Sequence, residues 1–115
     1  MLLVMLWSLV AYADDAIICS NAKAIALQRV LACSNLLISG VLPDETRKQV
    51  LNSRGLARAK RGDDEEGAIA DYNEAIKLDP YFADAFNNRG SAYFAKLDDK
   101  RAFIDFNKGK RSYAE

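Results

Sequence analysis

The fold is decided by two related stretches of sequence, Ala68-Ile69-Ala70-Asp71-Tyr72-Asn73-Glu74-Ala75-Ile76 and Ala102-Phe103-Ile104-Asp105-Phe106-Asn107-Lys108-Gly109. The alanine, the aspartate and the aromatic residue of the first stretch recur 34 positions later in the second. An Arg-Gly pair precedes each stretch, and the two glycines, Gly55 and Gly90, are 35 positions apart. The first copy therefore has one additional residue, in the turn at 62–67. Such a period, with small and aromatic residues at fixed positions, predicts an all-α fold of antiparallel helix-turn-helix repeats.

The composition limits the classes of partner. At 115 residues the chain has room for one domain, and its 50% hydrophobic and 28% charged residues are typical of a folded protein. Lys plus Arg and Asp plus Glu number 16 each, so the formal net charge is zero. Because no basic excess exists to neutralise phosphates or anionic lipid, the sequence argues against nucleic acid and membrane surfaces as partners.

The sequence also argues against an enzyme. It contains no histidine, which is the commonest general base and the commonest metal ligand. It has no phosphate-binding glycine loop and no cysteine pair with metal-ligand spacing. We interpret the acidic cluster at 63–66 as a helix start rich in carboxylates, although it could bind a divalent cation weakly. We therefore predict no catalytic residue, no metal site and no cofactor.

The N-terminus resembles an export signal. An apolar run, interrupted only by Ser8, covers 2–10 and closes with Ala11-Tyr12-Ala13 before an acidic pair. This pattern is typical of a secretory signal peptide over residues 1–13, cleaved near Ala13, and the run is too short to cross a bilayer. No Lys or Arg precedes the run, a departure that a start codon assigned too far downstream would explain. The alternative is an apolar helix that docks on the rest of the fold.

The same interpretation bears on the state of the two cysteines. An exported chain would begin near Asp14 in an oxidising compartment, the periplasm or the outside of the cell, where Cys19 and Cys33 could pair. On one continuous helix they would lie about 21 Å apart, whereas a disulfide needs Cα atoms within about 7 Å. Pairing therefore requires the chain after Cys19 to fold back along a helix that begins nearer Ile25. The alternative is two buried thiols that behave as small hydrophobic residues.

Hydrophobic periodicity predicts five helices after the signal peptide. Gly40 and the proline at 43 separate the first from the second, and further breaks follow at 62–65, at Asp79-Pro80 and at 97–99. The predicted helices cover about 25–38, 44–61, 66–78, 81–96 and 100–113. This pattern divides the exported chain into a degenerate repeat or capping helix at 14–43 and two repeats within 44–115, at about 48–81 and 82–115.

From Gln49 to Glu115 the chain resembles the tetratricopeptide repeat family. The family places a small residue on the first helix of each unit, and alanines, an aromatic residue and a closing proline on and after the second. The matching positions are Gly55, Gly90, Ala68, Ala75, Ala102, Gly109, Tyr72, Phe106 and Pro80. Residues 32–40 resemble the second helix of a further, degenerate unit. The signal peptide, two early cysteines and short repeats together resemble small exported bacterial repeat proteins.

The resemblance implies a short right-handed α-solenoid that binds other proteins. In the family the first helices line a concave groove that takes an extended peptide or a helix. By helical spacing the groove residues are Gln49, Asn52, Leu56, Lys60, Asp84, Asn87, Ser91 and Phe94. Asn52, Asp84 and Asn87 stand where a clamp for a C-terminal carboxylate would need cations, which disfavours that type of ligand. The alternative is that all eight are simply exposed helix residues.

A further hypothesis concerns the last helix. The last helix presents Phe103, Phe106 and Tyr113 with no following helix to cover them, so a self-assembling subunit is the second candidate function.

In each repeat an arginine precedes the small glycine, and an aspartate precedes the aromatic residue on the partner helix. We predict that Arg54 pairs with Asp71 and Arg89 with Asp105. The alternative is that these are separate, solvated surface charges.

Overall fold

The computed structural model describes residues 2–114, which form six α-helices and no strand. The helices are α1 (Leu2–Ser20), α2 (Ala26–Ile38), α3 (Asp44–Arg61), α4 (Glu65–Leu78), α5 (Ala83–Ala95) and α6 (Asp99–Ala114). Each helix packs against the next along the chain, which gives three antiparallel hairpins. The prediction of an all-α helical repeat fold is confirmed.

The hairpins stack so that their first helices lie on one side. α1 contacts α3 and α3 contacts α5, whereas within residues 2–114 no Cα atoms of the second helices α2, α4 and α6 come within 8 Å of one another. The second helices are therefore splayed and the array curves toward the first helices, which form its concave side. The whole array measures 54 × 31 × 20 Å.

The first hairpin, α1 with α2, follows the burial pattern of a repeat without its usual residues. In α2 the buried positions are 29, 30, 32, 33 and 36, and they have the spacing of 68, 69, 71, 72 and 75 in α4. Cys33 thus occupies the position that Tyr72 occupies in the next unit. A sulfur atom replaces an aromatic ring there, so this hairpin needs another means of joining its helices.

A disulfide between Cys19 and Cys33 provides that connection. α1 ends at Ser20, the chain turns, and α2 begins at Ala26, so that the two Cα atoms lie 4.9 Å apart. This is the fold-back that pairing requires. Both sulfur-bearing residues are buried, and Cys19 is the only buried residue of α1 within residues 2–20.

Turn chemistry separates the helices as the sequence suggests. Gly40 and Gly62 both have positive φ, at 70° and 74°, and Gly62 ends α3. Asp64 caps α4 by accepting a hydrogen bond from the Gly67 backbone N–H at 3.0 Å, which confirms the helix-start interpretation of 63–66. In the second repeat the position of Gly62 is taken by Leu97, whose φ is 63°.

In both repeats a glycine lets an aromatic ring contact the backbone of the first helix. A Cβ atom on Gly55 would lie 2.6 Å from Cε1 of Tyr72, and one on Gly90 would lie 2.8 Å from Cε1 of Phe106. The two rings differ in their freedom to move, since Tyr72 is fully buried and Phe106 is 40% exposed.

We expect Gly55→Ala to lower the free energy of unfolding by up to about 2 kcal/mol. Overpacking costs about 1–3 kcal/mol, and the better helix propensity of alanine offsets about 1 kcal/mol. Gly90→Ala should change stability by less, since the exposed Phe106 ring can rotate away. Urea unfolding of the two variants measures the difference, and equal losses would contradict this explanation.

The two predicted Arg–Asp pairs are present and bidentate, so the alternative of separate surface charges is wrong. Arg54 donates to both carboxylate oxygens of Asp71 at 3.0 and 2.7 Å. Arg89 donates to both oxygens of Asp105, each at 2.8 Å. Both aspartates are buried. In the first repeat Arg58 adds a third bond to Asp71, at 3.0 Å.

Each of these arginines also reaches the preceding hairpin. The Nη1 atom of Arg54 donates to Oγ of Ser34 on α2 at 3.2 Å. In the same way, Nη1 of Arg89 donates to Oδ1 of Asn73 on α4 at 2.8 Å. One guanidinium therefore joins the two helices of its own hairpin and connects that hairpin to the previous one.

Candidate functional site

The concave side carries the predicted groove residues. All eight are at least partly exposed: Gln49, Asn52, Leu56, Lys60, Asp84, Asn87, Ser91 and Phe94. A depression of about 240 Å³ lies between α3 and α5, and Leu56 and Ser91 line it. Small side chains, Ala59, Ala92 and Ala95, form much of the rest of its wall. Their small size leaves the space that forms the depression.

Two amides meet across this depression. Nδ2 of Asn88 donates to Oδ1 of Asn52 at 3.0 Å, so the first helices of neighbouring repeats are hydrogen-bonded through side chains. Asn88 was absent from the predicted groove set because spacing alone placed its neighbour Asn87 there. The pair leaves the second Nδ2 hydrogen of Asn88 and the amide of Asn52 as potential partners for a peptide backbone.

Asp84 and Asn87 lie at the C-terminal end of the groove, close to α6. The Tyr113 hydroxyl donates to Oδ1 of Asp84, and this hydrogen bond raises the pKa of Tyr113. The side-chain amide of Asn87 packs against Gly109 so closely that a Cβ atom on residue 109 would clash with it. These two groove residues therefore hold α5 against α6, and the Tyr113 hydroxyl has a partner within the chain.

At its N-terminal end the groove continues onto α1. A depression of about 200 Å³ lies between α1 and α3, and Gln49 lines it beside Tyr12, Ala16 and Ser53. Nearby, Nζ of Lys60 donates to the Ala22 carbonyl at 3.3 Å. The sequence did not predict this extension, because the first helix after the signal peptide was expected to begin near residue 25.

Helix α6 exposes several large apolar side chains among its charged residues. Phe103 is 67% exposed and Tyr113 is 66% exposed. Phe106 differs from them because its ring packs against Gly90 inside the hairpin. Of the three residues predicted for self-association, Phe103 is thus the one whose side chain is both exposed and unconnected to the hairpin contact.

Helix α1 is longer than the apolar run with which it begins. The apolar run at 2–10 is too short to cross a bilayer, but α1 extends to Ser20 and is long and apolar enough to do so by length and composition. A signal sequence near an N-terminus passes the same test. Residues 2–14 are exposed throughout, so docking of the apolar run on the rest of the fold does not occur.

Comparison with protein-family models explains the repeated hairpins. Residues 55–96, from the middle of α3 to the end of α5, match a model described as TPR repeat, the tetratricopeptide repeat. Residues 55–96 are therefore similar to a tetratricopeptide repeat. Searches of curated proteins and of solved structures gave no significant match. Tetratricopeptide repeats generally mediate protein–protein interactions, and the match supports an interaction module of this general type.

Proposed function

We propose that this tetratricopeptide repeat protein is an exported adaptor or scaffold that binds an extended peptide or a helix in its concave groove. The observation that carries the proposal is the row of exposed and half-buried residues along α3 and α5, with the Leu56–Ser91 depression at its centre. Amide groups there can bond to a peptide backbone, and Phe94, which is 63% exposed, offers an aromatic contact.

Two features support export to the periplasm or the outside of the cell, in a bacterial setting. Of the described residues, cleavage near Ala13 would remove only exposed ones, and α1 would keep Cys19, its one buried residue within 2–20. The disulfide uses both cysteines, as is usual in oxidising compartments. N-terminal sequencing of the protein from a periplasmic fraction tests this directly, since an uncleaved chain would contradict it.

The second candidate, a self-assembling subunit, rests on the exposed Phe103 on α6. Its partner would be a second copy of the chain, which would cover the outer face of that helix. Light scattering of the mature protein measures its oligomeric state and so tests self-assembly. Phe103→Ser is the informative variant, because Phe106 is needed within the hairpin. A monomer for the parent protein would contradict self-assembly and leave the adaptor hypothesis standing.

The groove proposal predicts that Leu56→Arg combined with Ser91→Arg weakens peptide binding by about tenfold or more. Peptides would first be selected from a random display library on the mature protein, and affinities measured by fluorescence anisotropy. Two arginines would fill the depression and add charge to a nearly neutral surface.

A matched control keeps the added charge and moves it away from the groove. Ala70→Arg combined with Asn107→Arg adds two arginines at exposed positions on the second helices α4 and α6. This control should bind the selected peptides like the parent protein. If both double variants lose binding equally, or if neither does, the selected peptides do not occupy the groove.

A further inference from the structure

We propose that the cleft between α4 and α6 is a second binding site, for an acidic peptide segment that also carries an apolar side chain. The cleft measures about 460 Å³ and lies on the convex side, where α4 and α6 make no contact within residues 2–114. It is separate from the groove. Phe86 and Arg89 line the cleft, whereas Asn88 and Ser91, which follow them by two residues each on α5, line the groove. A two-residue step turns a helix by about 200°, so the two pairs lie on nearly opposite faces of α5.

The floor of the cleft is fixed before any ligand arrives. Phe86 is only 5% exposed, and the Arg89 guanidinium lies 5.6 Å from the centre of its ring. Arg89 is itself held by both oxygens of Asp105 and by Oδ1 of Asn73. A site whose central groups are already ordered loses little conformational entropy on binding.

The rim supplies positive charge that the rest of the described chain does not neutralise. Lys108 and Arg111 lie three residues apart on α6 and both line the cleft. Neither forms an ion pair with a described residue, and Nζ of Lys108 lies 5.7 Å from the Phe86 ring centre. No aspartate or glutamate is among the residues that line the cleft within 2–114.

The opposite wall is apolar. Ile76, Pro80 and Tyr81 form it, and Tyr81 is 70% exposed beside the two cations. A ligand that matches both walls needs a carboxylate next to an aliphatic or aromatic side chain, which an acidic peptide provides. Nucleic acid fits less well, because binding along a phosphate backbone requires a longer row of cations than these two.

The experiment uses a fluorescein-labelled peptide, Glu-Leu-Glu-Phe-Glu-Leu, and its amide analogue, Gln-Leu-Gln-Phe-Gln-Leu, with anisotropy as the readout. The parent protein should bind the acidic peptide at least about tenfold more tightly than the analogue. The double variant K108E/R111E should lose that preference. K100E/K110E makes the same charge change at exposed positions of α6 that do not line the cleft, and should keep it.

Four results would overturn the proposal. Equal binding of the two peptides would show that no carboxylate is recognised. An equal loss of acidic-peptide binding in K108E/R111E and K100E/K110E would indicate long-range electrostatic attraction only. Loss of acidic-peptide binding in the L56R/S91R groove variant would place the peptide in the groove. If K108E/R111E instead converts an oligomer to a monomer in light scattering, the occupant is a second copy of the chain. Since the cleft and the groove lie on opposite sides, either site can fail without the other.

Discussion

Replacing both cysteines, Cys19→Ser with Cys33→Ser, is expected to lower the free energy of unfolding by about 3 kcal/mol. The disulfide closes a loop with a sequence separation of 14, and a loop of this size restricts the unfolded chain by about that amount. The folded state is affected too. After cleavage near Ala13, α1 would retain only residues 14–20, and a helix that short is unstable in water on its own. The first hairpin should therefore lose α1 when the disulfide is lost.

The parent protein provides its own control for this prediction. Urea unfolding with and without a thiol reductant should give the 3 kcal/mol difference in the parent, while the double serine variant should be insensitive to the reductant. Far-ultraviolet circular dichroism should show a small loss of helix in the variant, limited to the first hairpin. A parent protein whose stability does not depend on the reductant would show that the cysteines are not paired in solution.

The repeats and their charge pairs could be predicted because both are encoded by local spacing. A fixed distance of 34 residues between Asp71 and Asp105 means that whatever pairs with one aspartate in its hairpin recurs in the next. The structure adds a contact that spacing did not reveal, since each arginine also bonds to the preceding hairpin, through Ser34 or Asn73. These two partners are different residue types, so no sequence motif marks them.

Helix α1 as the partner of α2 and the convex cleft could not be predicted for a different reason. Cys33 stands where the other units have an aromatic ring, so the first unit has no glycine and aromatic pattern to identify α1 as its first helix, although α2 itself was predicted. The cleft combines Ile76 on α4, Phe86 on α5 and Lys108 on α6. Residues this far apart along the chain become neighbours only through the angle at which the hairpins stack, and hydrophobic periodicity does not determine that angle.

Asp71→Ala is expected to be the most destabilising exchange among the charged residues, at about 3–5 kcal/mol. Its carboxylate accepts three hydrogen bonds, two from Arg54 and one from Arg58, and it is only 3% exposed. Removal would leave the half-buried Arg54 guanidinium without its anion, the case in which breaking an ion pair costs most, and would leave Arg58 with Asp64 alone, 3.2 Å from its Nε. Asp105→Ala should cost less, since Asp105 accepts from Arg89 alone and position 93, equivalent to 58, is a tyrosine.

A double-mutant cycle separates the ion pair from the loss of packing. Arg54→Met keeps most of the volume of the side chain, and combined with Asp71→Ala it should cost less than the sum of the two single exchanges, with a coupling energy of about 1–3 kcal/mol. The cycle on Arg89 and Asp105 should give a coupling of similar sign, because its geometry is also bidentate. Urea unfolding supplies all the free energies.

Because Arg54 also bonds to Ser34, replacing Arg54 should weaken the contact with the first hairpin. Amide hydrogen exchange in α2 should then become faster in Arg54→Met but not in Arg58→Met. Equal exchange in the two variants would show that this guanidinium does not connect the hairpins.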